Sequence, residues 1–214
     1  DRATRMDGTI NAAGGTVDTS SKGELGVKGE VNAQNWVLDP VTLTVVNTLP
    51  SNYDINGAYY VAAGSIQNFL NGGANPGNTT QGTDVVVGYN TTVPRTLSLL
   101  ATNEVVINAD ISKTAGGAAT LVLGSQGAGT GASVTVNNPI SSIAGALNIQ
   151  FGASPSDAGG RVTLNAPLAT NGGTVIFNKE AMLAHATPIS TKITESSSAQ
   201  SGSIVFEIGR ASCR

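Results

Sequence analysis

Acidic side chains are the residues of this chain best suited to catalysis or metal binding, but they stand apart from one another. Hydrolysis of a polysaccharide needs two carboxylates that act together as acid and base or nucleophile. No Asp-Asp or Asp-x-Asp pair occurs, and isolated acids include Asp84, Glu104, Asp110 and Asp157. Gly-rich calcium loops that end in an Asp are also missing from the sequence. We therefore predict no catalytic carboxylate pair and no metal site.

The single histidine and the single cysteine, His185 and Cys213, are given no catalytic role. A nucleophile needs a base beside it, and the sequence contains no Ser-centred nucleophile elbow. We interpret His185 as an ordinary loop or helix residue. Cys213 lies in residues 207–214, which differ in composition from the preceding chain and resemble one reading frame of a common sequencing-adapter oligonucleotide. We predict that this tail is not native; the alternative is an ordinary polar loop.

Four aromatic residues are the candidates for ligand contact. Tyr53, Tyr59, Tyr60 and Phe69 are half of the chain's eight Tyr and Phe residues, and all lie in residues 47–83, where the regular pattern is interrupted. Aromatic rings can stack on sugars or pack against a host protein. The same rings could instead pack an inserted segment onto the rest of the fold. The sequence leaves both interpretations open.

Three asparagines repeat at a nearly constant interval. Asn108, Asn137 and Asn165 are 29 and 28 residues apart, and each follows one alternating apolar run and precedes another. A fixed period of this kind is typical of a solenoid, in which each unit buries its apolar face against its neighbours. We predict that these asparagines are corner residues that hydrogen-bond along the stack, because Asn tolerates the left-handed backbone of turns.

The apolar runs themselves alternate with polar residues, which predicts short β-strands. Taking Leu97, Leu121, Leu147 and Val175 as equivalent gives steps of 24, 26 and 28 residues. Each step suits one coil of two or three short strands, and coils in register favour parallel stacking over hairpins. The predicted fold class is all-β, a right-handed single-stranded parallel β-helix.

One β-helix is predicted over residues 1–206, with residues 47–83 as an elaborated coil or insertion. This insertion contains a short helix at residues 65–70. Residues 179–184 have the highest helix propensity in the chain but are too few to form a helix that is stable alone. Residues 203–206 are predicted to form one more strand. No signal peptide is visible, and we interpret the chain as an interior fragment.

Composition and charge exclude two classes of function. Hydrophobic residues make up 40% of the chain, charged residues only 12%, and the net charge is -3. A nucleic-acid partner is excluded because it would need basic clusters that neutralise phosphates. No run of 18 apolar residues occurs, so we predict no transmembrane segment.

Two segments near the N-terminus resemble a known pair of motifs. Residues 14–20 read Gly-Gly-Thr-Val-Asp-Thr-Ser, and residues 35–45 contain Trp36, Asp39 and Pro40. The pair is similar to motifs of filamentous-haemagglutinin-like exoproteins, the large adhesins of bacterial two-partner secretion systems. That pattern often has Glu in place of Asp18 and an aromatic residue in place of Val41. We expect the Asp39 carboxylate to accept backbone N–H groups in an Asx-type turn.

The resemblance implies a right-handed parallel β-helix, export through an outer-membrane transporter barrel, and a secreted or cell-surface location. It implies no cofactor and no catalytic residue, and the region that such a transporter recognises is not part of this sequence. We therefore expect a fragment of a rod-like adhesin that attaches to a host or surface glycan or protein, a virulence function. The alternatives are a β-helical polysaccharide-active enzyme and an inert structural or matrix protein.

Overall fold

The computed structural model describes residues 3–50, 59–72, 94–125, 131–155, 159–184, 188–191 and 202–206. Strands and one helix make up most of these residues. In chain order the elements are β1 (Ala3–Met6), β2 (Thr9–Asp18), β3 (Glu24–Val27), β4 (Glu30–Leu38), β5 (Thr42–Val46), β6 (Tyr59–Ala62), α1 (Ala63–Leu70), β7 (Arg95–Leu100), β8 (Glu104–Ile107), β9 (Ile111–Lys113), β10 (Ala119–Gly124), β11 (Ser133–Val136), β12 (Ile140–Ser142), β13 (Leu147–Phe151), β14 (Arg161–Leu164), β15 (Leu168–Ala169), β16 (Val175–Phe177), β17 (Glu180–Leu183), β18 (Ile189–Ser190) and β19 (Ile204–Phe206).

The strands form three sheets, and every strand pair is parallel. Sheet A has the order β1-β3-β6-β5-β8-β11-β14-β17, sheet B the order β19-β16-β13-β10-β7-β4-β2, and sheet C the order β18-β15-β12-β9. From β7 onwards the chain visits sheets B, A and C in turn and then starts again, so each coil adds one strand to each sheet. The predicted parallel β-helix is confirmed. Its right-handed sense stays a prediction, in line with the usual hand of parallel crossovers.

Strand pairing places repeated residues directly over one another. Val105 pairs with Val134, and Val134 pairs with Val162, as the asparagine repeat predicts for sheet A. Ile111 and Ile140 pair in the same way in sheet C. Like side chains therefore stack over like side chains, which is the arrangement that gives a solenoid its continuous core.

One predicted equivalence in sheet B is wrong by two residues. Leu121 pairs with Leu97 and with Ile149, whereas Leu147, the predicted equivalent, pairs with Ala119. Side chains alternate between the two faces of a strand, so a slip of two residues keeps Leu147 and Ile149 on the same buried face. The apolar pattern therefore could not distinguish the two registers.

Sheet B contributes two columns of fully buried side chains to the core. The rings of Phe151 and Phe177 stack with centroids 4.9 Å apart and an interplanar angle of 12°. Burial of each large apolar side chain contributes about 1.5–3 kcal/mol, so the stack supplies stability that a single coil lacks. The columns are Trp36, Leu97, Leu121, Ile149 and Val175, and Leu38, Leu99, Leu123, Phe151 and Phe177.

The strand order of sheet A departs from chain order at one place. β6 follows β5 in the sequence but lies between β3 and β5 in the sheet. It leads directly into α1, which confirms the helix predicted at residues 65–70. α1 packs against β4, β6, β7 and β9, and it buries Ile66 and Phe69.

Helix α1 covers the free edge of sheet C. Gln67 Nε2 donates to the Asp110 carbonyl oxygen at 2.9 Å. Asn71 Oδ1 accepts the backbone N–H groups of Thr114, at 2.8 Å, and of Ala115, at 3.1 Å. Since β9 is the end strand of its sheet, these contacts occupy backbone groups that an exposed edge would leave unpaired.

The corner between sheets C and B depends on glycine. Gly116 and Gly145 have φ values of 76° and 64°, in the left-handed region that disfavours other residues. They also lie close together in successive coils: a Cβ atom on Gly145 would be 2.6 Å from the Gly117 carbonyl oxygen. Both the backbone conformation and the space between coils therefore require glycine at position 145.

Residues 179–184, which have the highest helix propensity in the chain, contain strand β17. This strand pairs with β14, and Ala181 lies beside Val162. The free edge of β14 offers a ladder of backbone hydrogen bonds, which outweighs the weak propensity of a short isolated helix.

Candidate functional site

The two segments that carry the family resemblance lie on adjacent coils and are joined by hydrogen bonds. They belong to β2 and β4 and the residues after them, and these two strands pair in parallel. The Trp36 side chain is fully buried, and its Nε1 donates to Thr19 Oγ1 at 2.9 Å. Ser20 Oγ accepts the backbone N–H of Asp39 at 3.0 Å. We call this contact region (Thr19, Ser20, Trp36 and Asp39) the Trp36 junction.

The Asx-type turn at this junction forms on Asp18 and not on Asp39, where we predicted it. Asp18 Oδ1 accepts the backbone N–H of Ser20 at 2.9 Å and also the Ser20 hydroxyl. Among the described residues, none donates a hydrogen bond to the Asp39 carboxylate. Backbone groups of the Asp39 corner bond instead to the neighbouring coils: the Asp39 N–H to Ser20 Oγ in the coil before it, and the Pro40 carbonyl oxygen to the N–H of Thr102 in the coil after it, at 3.2 Å.

Asp39 and Asp18 form the only pair of interacting carboxylates indicated within the described part of the chain. Burial raises the pKa of the Asp39 carboxyl above its ordinary value, and the nearby negative charge of Asp18 raises it further. A carboxyl group with a raised pKa can act as a general acid. No group of three or more His, Cys, Asp or Glu side chains that could hold a metal ion occurs within the described ranges.

The outer face of sheet A presents columns of polar side chains that repeat with each coil. One column contains three threonines, a tyrosine and two apolar residues: Tyr60, Thr44, Val106, Thr135, Thr163 and Met182. Thr135 Oγ1 donates to Glu104 Oε1 at 3.2 Å. At the C-terminal end of the face, Arg161 Nη2 lies 3.8 Å from Glu180 Oε1 in a solvent-exposed ion pair. The result is a surface on which a row of hydroxyl groups runs beside a row that carries Glu104, Arg161 and Glu180.

The three repeating asparagines stand in one exposed column at the border of this face. Asn137 Nδ2 donates to Asn108 Oδ1 at 2.8 Å, and Asn165 Nδ2 donates to Asn137 Oδ1 at 2.8 Å. Each asparagine also donates its backbone N–H to the preceding coil, for example from Asn165 to the Val136 carbonyl oxygen at 2.8 Å. The column therefore joins three coils through both side chains and backbone, as the 28- and 29-residue spacing predicts. The reason we gave for asparagine is wrong, because none of the three has a left-handed backbone; the side-chain amide is what the column uses.

The structure separates the aromatic residues that the sequence brought together. Phe69 is fully buried, with its ring centroid 5.6 Å from that of Trp36. Tyr59 is also buried, whereas Tyr60 is half-buried and pairs with Thr44 on the outer face of sheet A. Only Tyr60 of these three is placed for contact with a ligand, and Tyr53 lies outside the described residues. For Phe69 and Tyr59 the geometry favours the second interpretation, packing of the inserted segment.

Two fully buried lysines are the feature that sequence reasoning missed. Lys113 Nζ donates to the carbonyl oxygens of Ala115, at 2.7 Å, Gly116, at 3.1 Å, and Ala144. In the next coil Ser142 occupies the same register position and also donates to carbonyl oxygens at this corner. Lys179 is the second buried lysine, and its Nζ donates to the Gly159 carbonyl oxygen. For Lys113 the signal was a lysine at an inward position of the strand alternation, just before a glycine-rich corner.

Several predicted features cannot be placed. Tyr53, Asp84, Asp157, His185, Cys213 and all of residues 207–214 lie outside the described residues. Their assignments stay predictions of the sequence.

The chain matches no protein-family model, no curated protein and no solved structure at a significant level. The resemblance to filamentous-haemagglutinin-like exoproteins therefore stays a prediction based on the two motifs. Within the described ranges, no helix has both the length and the apolar character needed to cross a membrane.

Proposed function

We propose that this chain is part of a rod-like, secreted or surface-exposed bacterial adhesin that attaches through the outer face of sheet A. The observation that carries the proposal is the Trp36 junction. Its hydrogen bonds join the two segments that resemble filamentous-haemagglutinin-like exoproteins, on adjacent coils. The motif pair thus has a physical role in a β-helix, which supports a common origin of the two motifs with that family.

The parallel stack suits attachment because it repeats the same surface groups along one axis. Successive coils are spaced by about 4.8 Å, so Thr44, Thr135, Thr163 and the asparagine column form rows of hydrogen-bonding groups. Weak contacts of a long ligand with several coils would sum to a strong attachment. The hydroxyl and amide groups of these rows can both donate and accept, so they suit the hydroxyl groups of a glycan chain. Export through an outer-membrane barrel is part of the same proposal.

The enzyme alternative has one observation in its favour, the raised pKa of Asp39 next to Asp18. Against it, Asp39 belongs to the Trp36 junction, and the Asp18 carboxylate accepts hydrogen bonds from Ser20 of that junction. The matrix alternative differs from an adhesin only in having no specific ligand. Binding and degradation assays distinguish the three functions: an adhesin binds a specific ligand, an enzyme degrades a polysaccharide, and a matrix protein does neither.

Binding is tested with the full chain on arrays of glycans and of host surface proteins. The change Thr44→Val, Thr135→Val and Thr163→Val removes three hydroxyl groups from the outer face of sheet A. We expect this triple variant to bind at least tenfold more weakly, because each hydrogen bond contributes about 0.5–1.5 kcal/mol. The matched control, Thr96→Val and Thr120→Val, removes hydroxyl groups from the outer face of sheet B and should bind normally.

Two results contradict the proposal. The absence of specific binding on every array favours the matrix protein. Release of new reducing ends from a polysaccharide, abolished in Asp39→Asn, favours the enzyme. The gene neighbourhood gives an independent test: an adjacent gene for an outer-membrane transporter barrel is expected, and a cluster of polysaccharide-degradation genes would argue for the enzyme.

A further inference from the structure

Two buried polar atoms lie where helix α1 packs on strand β4, and neither makes a hydrogen bond within the described part of the chain. They are Asn32 Oδ1 and Ser65 Oγ, on side chains that are 7% and 3% exposed. A buried polar group without a partner costs free energy, so in native proteins such a group is paired with another group, with water or with an ion. Two of them on elements in contact therefore indicate a bound group between β4 and α1.

The Asn32 side chain turns its free oxygen toward this contact. Asn32 lies on β4, and its Nδ2 donates to Asn11 Oδ1 of β2 at 2.8 Å. The Oδ1 atom is on the other side of the same amide group, so it is directed away from β2. This is the side of β4 on which β7 and α1 pack.

The Ser65 side chain faces the same contact from the helix. Residues three and four positions apart share one face of a helix. Asn68, three residues after Ser65, donates from Nδ2 to Glu30 Oε1 of β4 at 3.3 Å. Phe69, four residues after Ser65, packs its ring against Trp36 of β4. Ser65 therefore lies on the flank of α1 that faces β4.

Glu30 adds a negative charge to these oxygen atoms. It lies two residues before Asn32, on the same outward face of β4, and it is half-buried. Among the described residues, no Lys or Arg forms an ion pair with Glu30, and the neighbouring Lys28 pairs with Asp7 instead. The unmatched groups are thus oxygen atoms and a carboxylate, so the group that binds them carries a positive charge.

We propose that Glu30, Asn32, Ser65 and Asn68, which we call the β4–α1 seam, bind one calcium ion. Calcium takes roughly six to eight oxygen ligands, including carboxylates, amide oxygens and water, in a flexible geometry. Magnesium demands a near-ideal octahedron and loses its water reluctantly, so the neutral amide and hydroxyl oxygens of the seam suit calcium better. Asn68 is exposed, and water molecules on its side of the seam complete the coordination.

The single carboxylate of the seam sets the expected affinity. Calcium affinity depends on the number of charged ligands, and the sites of extracellular modules have Kd values of about 10⁻⁴–10⁻³ M. We expect a Kd in this range. A sequence search for clustered acids does not find such a site, because its ligands include one acid and come from two distant segments. The ion would tie β4 to the helix that covers the free edge of sheet C.

Isothermal titration of the full chain with calcium chloride, after removal of metal ions by a chelator, tests the proposal. We expect one saturable site with a Kd of about 10⁻⁴–10⁻³ M. Glu30→Gln removes the charge but keeps the size of the side chain, and it should raise the Kd by about tenfold or more. The matched control is Glu104→Gln in sheet A, away from the seam, which should leave the Kd unaltered. The absence of saturable binding, or an equal effect of both variants, overturns the proposal; the two buried oxygens then pair with water only.

The Asn32→Asp change tests the seam by a gain of affinity, which a variant that fails to fold cannot give. It places a second carboxylate at the unpaired oxygen, so the Kd for calcium should fall by about tenfold or more. Asn165→Asp is the matched control: Asn165 also donates from Nδ2 to an asparagine of the preceding coil, but it lies outside the seam, and the Kd should not change. An unchanged or higher Kd in folded Asn32→Asp overturns the proposal. The titration contains no adhesive ligand, so this proposal and attachment through sheet A can fail separately.

Discussion

Trp36 joins two coils through one hydrogen bond as well as through packing. The Trp36→Phe change removes the indole N–H and leaves the buried Thr19 hydroxyl without this donor. We expect a loss of about 1–3 kcal/mol in the free energy of unfolding, from the lost bond and the smaller ring. Urea denaturation followed by circular dichroism measures this loss in the free energy of unfolding.

The Thr19→Val change separates the hydrogen bond from the packing. In a double-mutant cycle with Trp36→Phe, the two changes should couple by about 0.5–1.5 kcal/mol, because both remove the same bond. Additive effects would show that the Trp36 junction is stabilised by packing alone.

Asp39 makes stability depend on pH in a defined direction. Its pKa is raised in the folded chain, so its contribution to stability is complete below the ordinary value of 3.8 and is lost as the pH rises through the folded-state pKa. Asp39→Asn stays uncharged, so its stability relative to the unmodified chain should increase between about pH 3 and about pH 7.

Urea unfolding at a series of pH values measures this difference. The control is Asp110→Asn, a change at an exposed carboxylate away from the Trp36 junction. A stability difference for Asp39→Asn that is constant over the pH range would contradict burial as the cause of the shift.

Among the elements, those that repeat strictly could be predicted from the sequence. Asn108, Asn137 and Asn165 identify the column in sheet A because a corner asparagine breaks the apolar alternation and marks the register. Leu147 could not be told from Ile149 because sheet B has no such marker between equivalent apolar positions. The strand at residues 180–183 could not be predicted from local propensity, because the neighbouring edge of β14 determines the conformation there.

The remaining features depend on contacts that lie far apart in the sequence. The position of β6 between β3 and β5 follows from the packing of α1 and cannot be read from a period. Lys113 is buried because carbonyl oxygens of two successive corners surround its ammonium group. Phe69 appears in the sequence as one member of an aromatic cluster, but the helix carries its ring into the core.

The corner between sheets C and B gives a test at the level of the element. Gly145→Ala should lower the free energy of unfolding by more than about 2 kcal/mol, because it combines a left-handed φ with a Cβ atom 2.6 Å from the Gly117 carbonyl oxygen. Gly64→Ala is the matched control: it lies in α1 with open space around its Cβ position, and it should be neutral or stabilising by up to about 1 kcal/mol. Thermal or urea denaturation of both variants measures the two changes in the free energy of unfolding. Equal changes would contradict the requirement for glycine at position 145.

In the whole molecule, stability is expected to vary along the stack because each coil contacts only its neighbours. Phe177 and Phe206 occupy the same column, one in the interior and one at the end. Phe177→Ala should cost about 3–5 kcal/mol, and Phe206→Ala should cost less than about half of that, since its ring is already half-exposed. Urea denaturation followed by circular dichroism measures both losses. Equal losses would show that Phe206 is as well covered as Phe177 in the folded chain.

The placement of β6 also constrains the order in which the coils can assemble. β5 pairs only with β6 and β8 among the described strands, and both come later in the chain. A polypeptide that folds from its N-terminus can add β3 and β4 to the first coil, but β5 then has no neighbour in its sheet. In such a chain, β5 can join sheet A only after β6 has paired with β3. The regular three-sheet coils from β7 onwards form after that step.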